Sequence, residues 1–350
     1  MRRASEIIGR SPVSSRTRRL YHSLRRFLRG SNSRLLGALL RQSMVAHVAL
    51  TGRLPTGAHR SFASTCQPID PLADSGRGAT IDIAVPFVEK DLPALGSVIA
   101  GILRSVRNPI GNFFLVTPGD ESSSAPRFVS PGAQEEFEKI LKDFPSLTVR
   151  FDREALGPEL SLELLDGAQG PINGWLLQQV LKLSLARAST QAGTLIVDAD
   201  TVLLSTKTWL TDGGVQLLQF GEAFHQPYMN HLKGFFNVSK GLGVSFVTHH
   251  QLMQSDVVNE MFPDTESLLA WLRFGGSDSA HKPSEYESYG SFLLARHPRR
   301  VQFGTWSNLW SPNLALVSAM ATESKTTIPA MLPDYCSVSF HSHSQKDTIG

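Results

Sequence analysis

Residues 194–204 read Thr-Leu-Ile-Val-Asp-Ala-Asp-Thr-Val-Leu-Leu. Thr194 and the apolar run Leu195–Val197 read as a buried strand, which breaks at Asp198-Ala199-Asp200 before apolar character resumes at Val202-Leu203-Leu204. A strand period of two sets Asp198 and Asp200 on one side. Two carboxylates facing the same way where a buried strand ends repel one another unless a cation lies between them, and hard oxygen ligands suit Mg2+ or Mn2+. The triplet alone is a weak signal: with 16 Asp in 350 residues, about one Asp-x-Asp arises by chance, and two solvated turn carboxylates would look the same. Its place at a strand end is what points to a divalent-metal site.

Just upstream, Asn173 is placed to cap a helix from Gly174 to about Ala188, with Leu177, Val180, Leu181 and Ser184 inward. Trp175, Gln178, Gln179 and Lys182 fall at i, i+3, i+4 and i+7 and make a second, polar face. That face is either a solvated stripe or a surface turned toward a ligand; Trp175, a large ring at a helix start, reads as packing. Further upstream, strands at Ile81–Phe87, Asn112–Thr117 and Leu147–Phe151 alternate with helices that open at Asp91, with Pro93 in the first turn, and at Ser130-Pro131. Such alternation implies an α/β fold with a mostly parallel sheet and right-handed crossovers. Ligands of open parallel sheets bind beyond the carboxyl ends of the strands, where Asp198 and Asp200 fall.

Downstream the pattern loosens. Val244–Val247 reads as a buried strand ending in Thr248-His249-His250, with a helix following through Leu252 and Met253 and later Leu268–Leu272. Ser284-Glu285-Tyr286-Glu287-Ser288-Tyr289-Gly290 opens another helix, whose early acids also suit the helix dipole. Cys336–Phe340 reads as an edge strand leading to His341-Ser342-His343.

The 34 basic residues barely exceed the 31 acids, yet residues 1–60 hold 13 Arg, no Lys and a single acid, Glu6. The chain is therefore a basic segment joined to a mildly acidic body, and does not read as a nucleic-acid-binding fold. In residues 1–66, Leu20, Leu24, Phe27 and Leu28 form an apolar stripe on an Arg-studded helix that would suit an anionic membrane surface; the same composition fits a mitochondrial transit peptide, with Arg60-Ser61-Phe62-Ala63-Ser64 as a cleavage-like site, or a plain extension. The expected location is accordingly cytoplasmic and peripheral at the membrane, or the mitochondrial matrix. Residues 67–80 form a linker and 81–345 the folded domain. Cys66 and Cys336 supply neither a disulfide framework nor a metal cluster. Arg41 interrupts the apolar runs Leu35–Leu40 and Met44–Leu50, so neither is long enough to span a bilayer.

The segment Gly174–Leu183, with its Gly-Trp-x-x-Gln-Gln start, the Asp198-Ala199-Asp200 strand, Ser245–His250 and Ser284–Gly290 together resemble a little-characterised, mainly bacterial family of glycosyltransferase-like proteins. That family is placed with the nucleotide-diphospho-sugar transferases of the GT-A fold, and the resemblance covers about residues 80–345. It implies a metal-dependent glycosyltransferase in which Asp198 and Asp200 hold Mn2+ or Mg2+ against the diphosphate of a nucleotide-sugar donor. A glycan, lipid or small molecule would be the acceptor. It further implies that Pro86 and Phe87 border the base and that Glu285 and Glu287 bind the acceptor hydroxyl or act as its base, while the polar face of the preceding helix leads us to expect that Gln179 or Lys182 reaches the donor or its metal-holding loop. Enzymes of this fold often take a third metal ligand late in the chain, which favours His341 over His343, although a terminal polar loop needs no function to contain both. Asp198-Ala199-Asp200-Thr201-Val202 also fits the nucleophile motif of haloacid-dehalogenase-type phosphatases. That motif belongs on the first strand of its domain, and no Asp-Asp or Gly-Asp-x-x-x-Asp follows here to complete it. A non-catalytic sugar- or protein-binding relative is the remaining alternative.

Overall fold

The computed structural model of the protein describes residues 78–120, 125–167, 172–221, 225–239, 245–276, 278–306, 308–311 and 335–340. They fall in one compact unit, Arg53–Gly350. The basic segment and the His341 and His343 pair lie outside the described residues.

Strand β1 (Ile81–Pro86) is buried along its whole length, as a central strand covered on both faces must be. It leads through a single 3-10 turn (Glu89–Asp91) into α1 (Leu92–Ser105), where Pro93 sits in the first turn and Leu95, Val98, Ile99 and Ile102 are buried. Burial of each such side chain contributes about 1.5–3 kcal/mol. Asp91 stands at the N-cap, but its carboxylate accepts from Val88 N (3.0 Å) rather than from the helix. The chain continues through β2 (Ile110–Thr117), α2 (Ala133–Asp143), β3 (Thr148–Phe151), the short α3 (Asp152–Leu156) and α4 (Pro158–Leu164), α5 (Gly174–Ala188) and β4 (Gly193–Val197). The Asn173 side chain caps α5 by accepting from Trp175 N at 2.9 Å, as its place before the apolar run requires.

The principal sheet has the order β3-β2-β1-β4-β7, where β7 is His250–Gln254. β1, β2, β3 and β4 pair in parallel, and β7 joins β4 antiparallel with Val197 opposite His250. The order in which strands are laid down reverses between β1 and β4. Their carboxyl ends thus flank a topological switch point, where the fold leaves a crevice above the sheet.

Three expectations change in the second half. Residues 245–249 are irregular instead of strand, and Leu252 and Met253, expected in a helix, belong to β7, with α7 starting only at Ser255 (Ser255–Met261). Every residue of β7 is buried, so its sequence carries no alternation to set it apart from a helix. The apolar residues after Asp200 do not extend β4: β5 (Thr201–Leu203) turns away to a second sheet ordered β5-β10-β9, with β9 at Asn308–Trp310 and β10 at Ser337–Ser339. Gly101 allows that turn, since a Cβ there would lie 2.7 Å from Val202 and 3.0 Å from the Leu203 carbonyl. β10 is thus an interior strand of a small sheet and not the edge strand expected at Cys336–Phe340. A parallel pair, β6 (Gln216–Phe220) with β8 (Val301–Thr305), and the helices α6 (Gln226–Phe236), α8 (Thr265–Arg273) and α9 (Glu285–Arg296) complete the described fold. Among the described residues no helix is long and apolar enough to cross a membrane.

Candidate metal centre

The carboxyl end of β4 carries Asp198 and Asp200, though in a turn and not on the strand. Asp198 N bonds to His249 O (2.8 Å), and Thr201 N closes back on Asp198 O (3.0 Å). The strand period therefore does not explain their convergence; the turn does. Asp198, Asp200 and His249 each offer a ligand atom, and these atoms all lie within 4.8 Å of one another. An octahedral cation with ligands at about 2.1 Å sets its donors roughly 3–4 Å apart, so a small contraction would bring these three onto one ion, with the other positions left to water or a ligand. His249 Nδ1 is 3.3 Å from Asp198 Oδ2, already inside that range. Two carboxylates and one imidazole form a donor set acceptable to Mn2+ and, with more water in the shell, to Mg2+.

His249 adopts φ +59, the left-handed region that a β-substituted residue enters only when its surroundings dictate it. Its ring lies 5.4 Å from that of Trp306, whose Nε1 donates to Ser337 Oγ at 2.9 Å. Sequence reasoning marked His249 only as the end of a strand and looked for the third ligand at His341. Two adjacent histidines at the rim of a buried run were the available signal. They do not say which ring points where: His250 is buried, with Nε2 bonded to Gln219 Oε1 at 2.7 Å.

Asp198 is held from both sides. Lys182 Nζ, on α5, lies 2.6 Å from Oδ1, and the Tyr286 hydroxyl on α9 donates to the same oxygen at 2.9 Å. Lys182 Nζ is also 2.7 Å from Glu285 Oε1 and 4.4 Å from the centre of the Tyr286 ring. Burial pushes the Asp198 carboxyl upward, but Lys182 and His249 pull it further the other way, so it rests well below the usual carboxylate range. Burial lowers the Lys182 ammonium and its two carboxylates raise it by more, keeping it charged. Burial raises Glu285, with Lys182 opposing. Asp91, at the N-cap of α1, is raised by burial, with the Val88 N–H and Lys90 opposing and Asp200 and Asp198 adding a smaller upward push. The charge of the Asp-x-Asp turn is thus felt at the N-cap of α1, and a bound cation would offset it.

The polar face of α5 divides. Gln179 and Lys182 are buried, and Gln179 Oε1 accepts from Glu285 N at 3.1 Å, so a solvated stripe is ruled out for these two. Trp175, expected to pack, is instead 41% exposed, because the start of α5 stands clear of the core that its second half enters. At the end of β1, Pro86 is buried beside Val116, and Phe87 is 3% exposed with its ring 5.5 Å from that of Phe137. Phe87 therefore packs into the core, and the exposed side chain at this rim is Val88. Glu287 is buried, its Oε2 accepting from Ser245 Oγ and Phe246 N (both 3.0 Å) and its Oε1 from Ser291 Oγ (2.9 Å), so both carboxylate oxygens are engaged by the protein. Glu285, paired to Lys182, is beside the centre but occupied by an ammonium.

No family model and no curated protein matches the chain. Solved structures to which it is similar include glycosyltransferases. A bifunctional glycosyltransferase, WbbM, in its apo form has a TM-score of 0.44 and 11% identity, over 75% of this chain and 46% of that one, so this chain spans less than half of its length. Mouse xyloside xylosyltransferase 1 has a TM-score of 0.40 and 11% identity, over 75% of this chain and 98% of that one. The galactosyltransferase LgtC in complex with donor and acceptor sugar analogues has a TM-score of 0.35 and 15% identity, over 74% and 87%.

Proposed function

We propose that the chain is a GT-A-type glycosyltransferase that uses a divalent cation, Mn2+ or Mg2+, to bind the diphosphate of a nucleotide-sugar donor. The observation that carries this reading is the convergence of Asp198, Asp200 and His249 at the switch point between β1 and β4. A bound cation would neutralise charge on the departing nucleoside diphosphate. Asp198 Oδ2, Asp200 and His249 would hold it, while Lys182 and the Tyr286 hydroxyl keep Asp198 Oδ1 turned away from it. The donor diphosphate would occupy the crevice over the ends of β1 and β4. The acceptor class we propose is a glycan, a lipid or a small hydroxyl compound.

The test is titration of the protein with nucleoside diphosphates and a panel of nucleotide sugars, with Mn2+, with Mg2+ and with chelator, followed by assay of sugar release. Binding that requires the cation and is lost in Asp200→Asn supports the reading. Equal affinity with and without cation overturns it, as would a covalent acyl-phosphate at Asp198, the mark of a phosphatase.

A further inference from the structure

Asp198 and His249 come from segments far apart in the chain, and the first turn of α9 touches the supports of both. Tyr286 bonds directly to Asp198, and Glu285 to its partner Lys182. Glu287 reaches the other segment. Its carboxylate gathers Ser245 Oγ, Phe246 N and Ser291 Oγ, and the same Ser245 Oγ accepts from Val247 N at 3.1 Å. Ser245 also exchanges two backbone bonds with Gly221 (2.8 and 3.1 Å). On the same face of α9, Gly290 lets the Phe246 ring lie against the helix: a Cβ there would sit 2.7 Å from two of its atoms. Residues 245–247 are therefore fixed to α9 by one buried carboxylate and one close approach. Regular pairing with β4 resumes only at His250. His249 is the corner between the two anchors, which is where the left-handed backbone is forced.

We propose that Glu287 is a positioning residue that aims the His249 imidazole into the metal centre without touching the cation. The inference rests on Asp198, Asp200 and His249 being that centre. A buried anion accepting three hydrogen bonds fixes its donors more firmly than neutral partners would, and partners one step removed from a metal typically change its affinity 10–100-fold. Glutamine can reproduce the set, its oxygen accepting from Ser245 and Phe246 and its amide donating to Ser291 Oγ; alanine reproduces none of it.

The test uses the full chain and Mn2+ alone, reading affinity by calorimetry and imidazole ligation by nitrogen coupling in pulsed electron paramagnetic resonance. The wild-type protein should show nitrogen coupling that His249→Ala abolishes. Glu287→Ala should bind Mn2+ at least about tenfold more weakly and lose that coupling, while Glu287→Gln retains most of both. Should Glu287→Ala fail to fold, Ser245→Ala and Ser245→Cys carry the test: the alanine removes the bond to Glu287 together with that from Val247 N and should weaken the coupling, whereas the cysteine keeps a donor to Glu287 and should retain more of it. Wild-type affinity and coupling in folded Glu287→Ala, or in Ser245→Ala where that variant carries the test, overturn the positioning role while leaving the metal centre intact. Mn2+ binding that is indifferent to His249→Ala and Asp200→Asn removes the centre itself, and this inference with it.

Discussion

Lys182 Nζ lies 2.6 Å from Asp198 Oδ1, so the carboxylate that heads the Asp-x-Asp turn is neutralised on one side by the helix that precedes it in the chain. The same nitrogen is 2.7 Å from Glu285 Oε1, and both Lys182 and Glu285 are almost wholly buried. One ammonium thus serves two carboxylates, and it couples the stability of the fold to the geometry of the site.

Removing that ammonium leaves Glu285 buried without its cation, which typically costs about 3–5 kcal/mol. Lys182→Met should therefore lower unfolding stability by that order in urea titrations, and Glu285→Gln in the same chain should restore a large part. A Lys182→Met protein as stable as the wild type would show that Glu285 takes up a proton or that water enters.

Gly290→Ala sets a methyl group 2.7 Å from Phe246 on the helix that holds the His249 segment. Overpacking of this kind costs about 1–3 kcal/mol. The variant should melt lower, and pairing it with Phe246→Leu should recover stability. Thermal melts of the two single variants and the double variant read this directly; additive losses would place the strain elsewhere.

His231 is buried, its Nε2–H bonded to the Trp271 carbonyl at 2.9 Å, and its Nδ1 has no partner among the described residues. Burial depresses its pKa to about 4, with the Trp271 carbonyl opposing, from an ordinary 6.5. Between these values the unfolded chain binds a proton that the folded chain refuses, so stability falls as pH drops from 6.5 toward 4 and levels off below. The full effect is on the order of 3 kcal/mol. His231→Gln keeps a donor for Trp271 and removes the titration. Denaturant midpoints at pH 7 and pH 4.5 should differ less in the variant than in the wild type, and equal pH dependence in the two would refute the assignment.

The Arg-rich segment carries the remaining prediction. A chain beginning at Gln67 should keep the nucleotide and metal binding of the full chain, because a segment so rich in Arg and so poor in acids contributes no core. It should lose sedimentation with anionic vesicles, to which each Arg at the headgroups adds about 1 kcal/mol. Equal sedimentation of the two chains would place membrane affinity elsewhere.

Signals that act within a few residues were readable from the chain alone. The alternation of strand and helix through Ala188, the Asn173 cap, the Ser284 cap of α9 and the pair of aspartates where a buried strand stops all depend on local dihedral preference and local burial. Tertiary structure alone decided what those aspartates meet. Lys182 and Glu285 are 103 residues apart, Asp198 and Tyr286 are 88 apart, and His249 enters through a corner whose backbone is set by Glu287 and β7. Neither periodicity nor spacing encodes such distances, because a buried polar residue looks in sequence like a surface one until a partner from a distant element is brought against it. For the same reason Gln179 and Lys182 read as a possible solvated face. The physical environment that buries these two, an ion pair and a hydrogen bond to a helix more than a hundred residues on, exists only once the strands have closed.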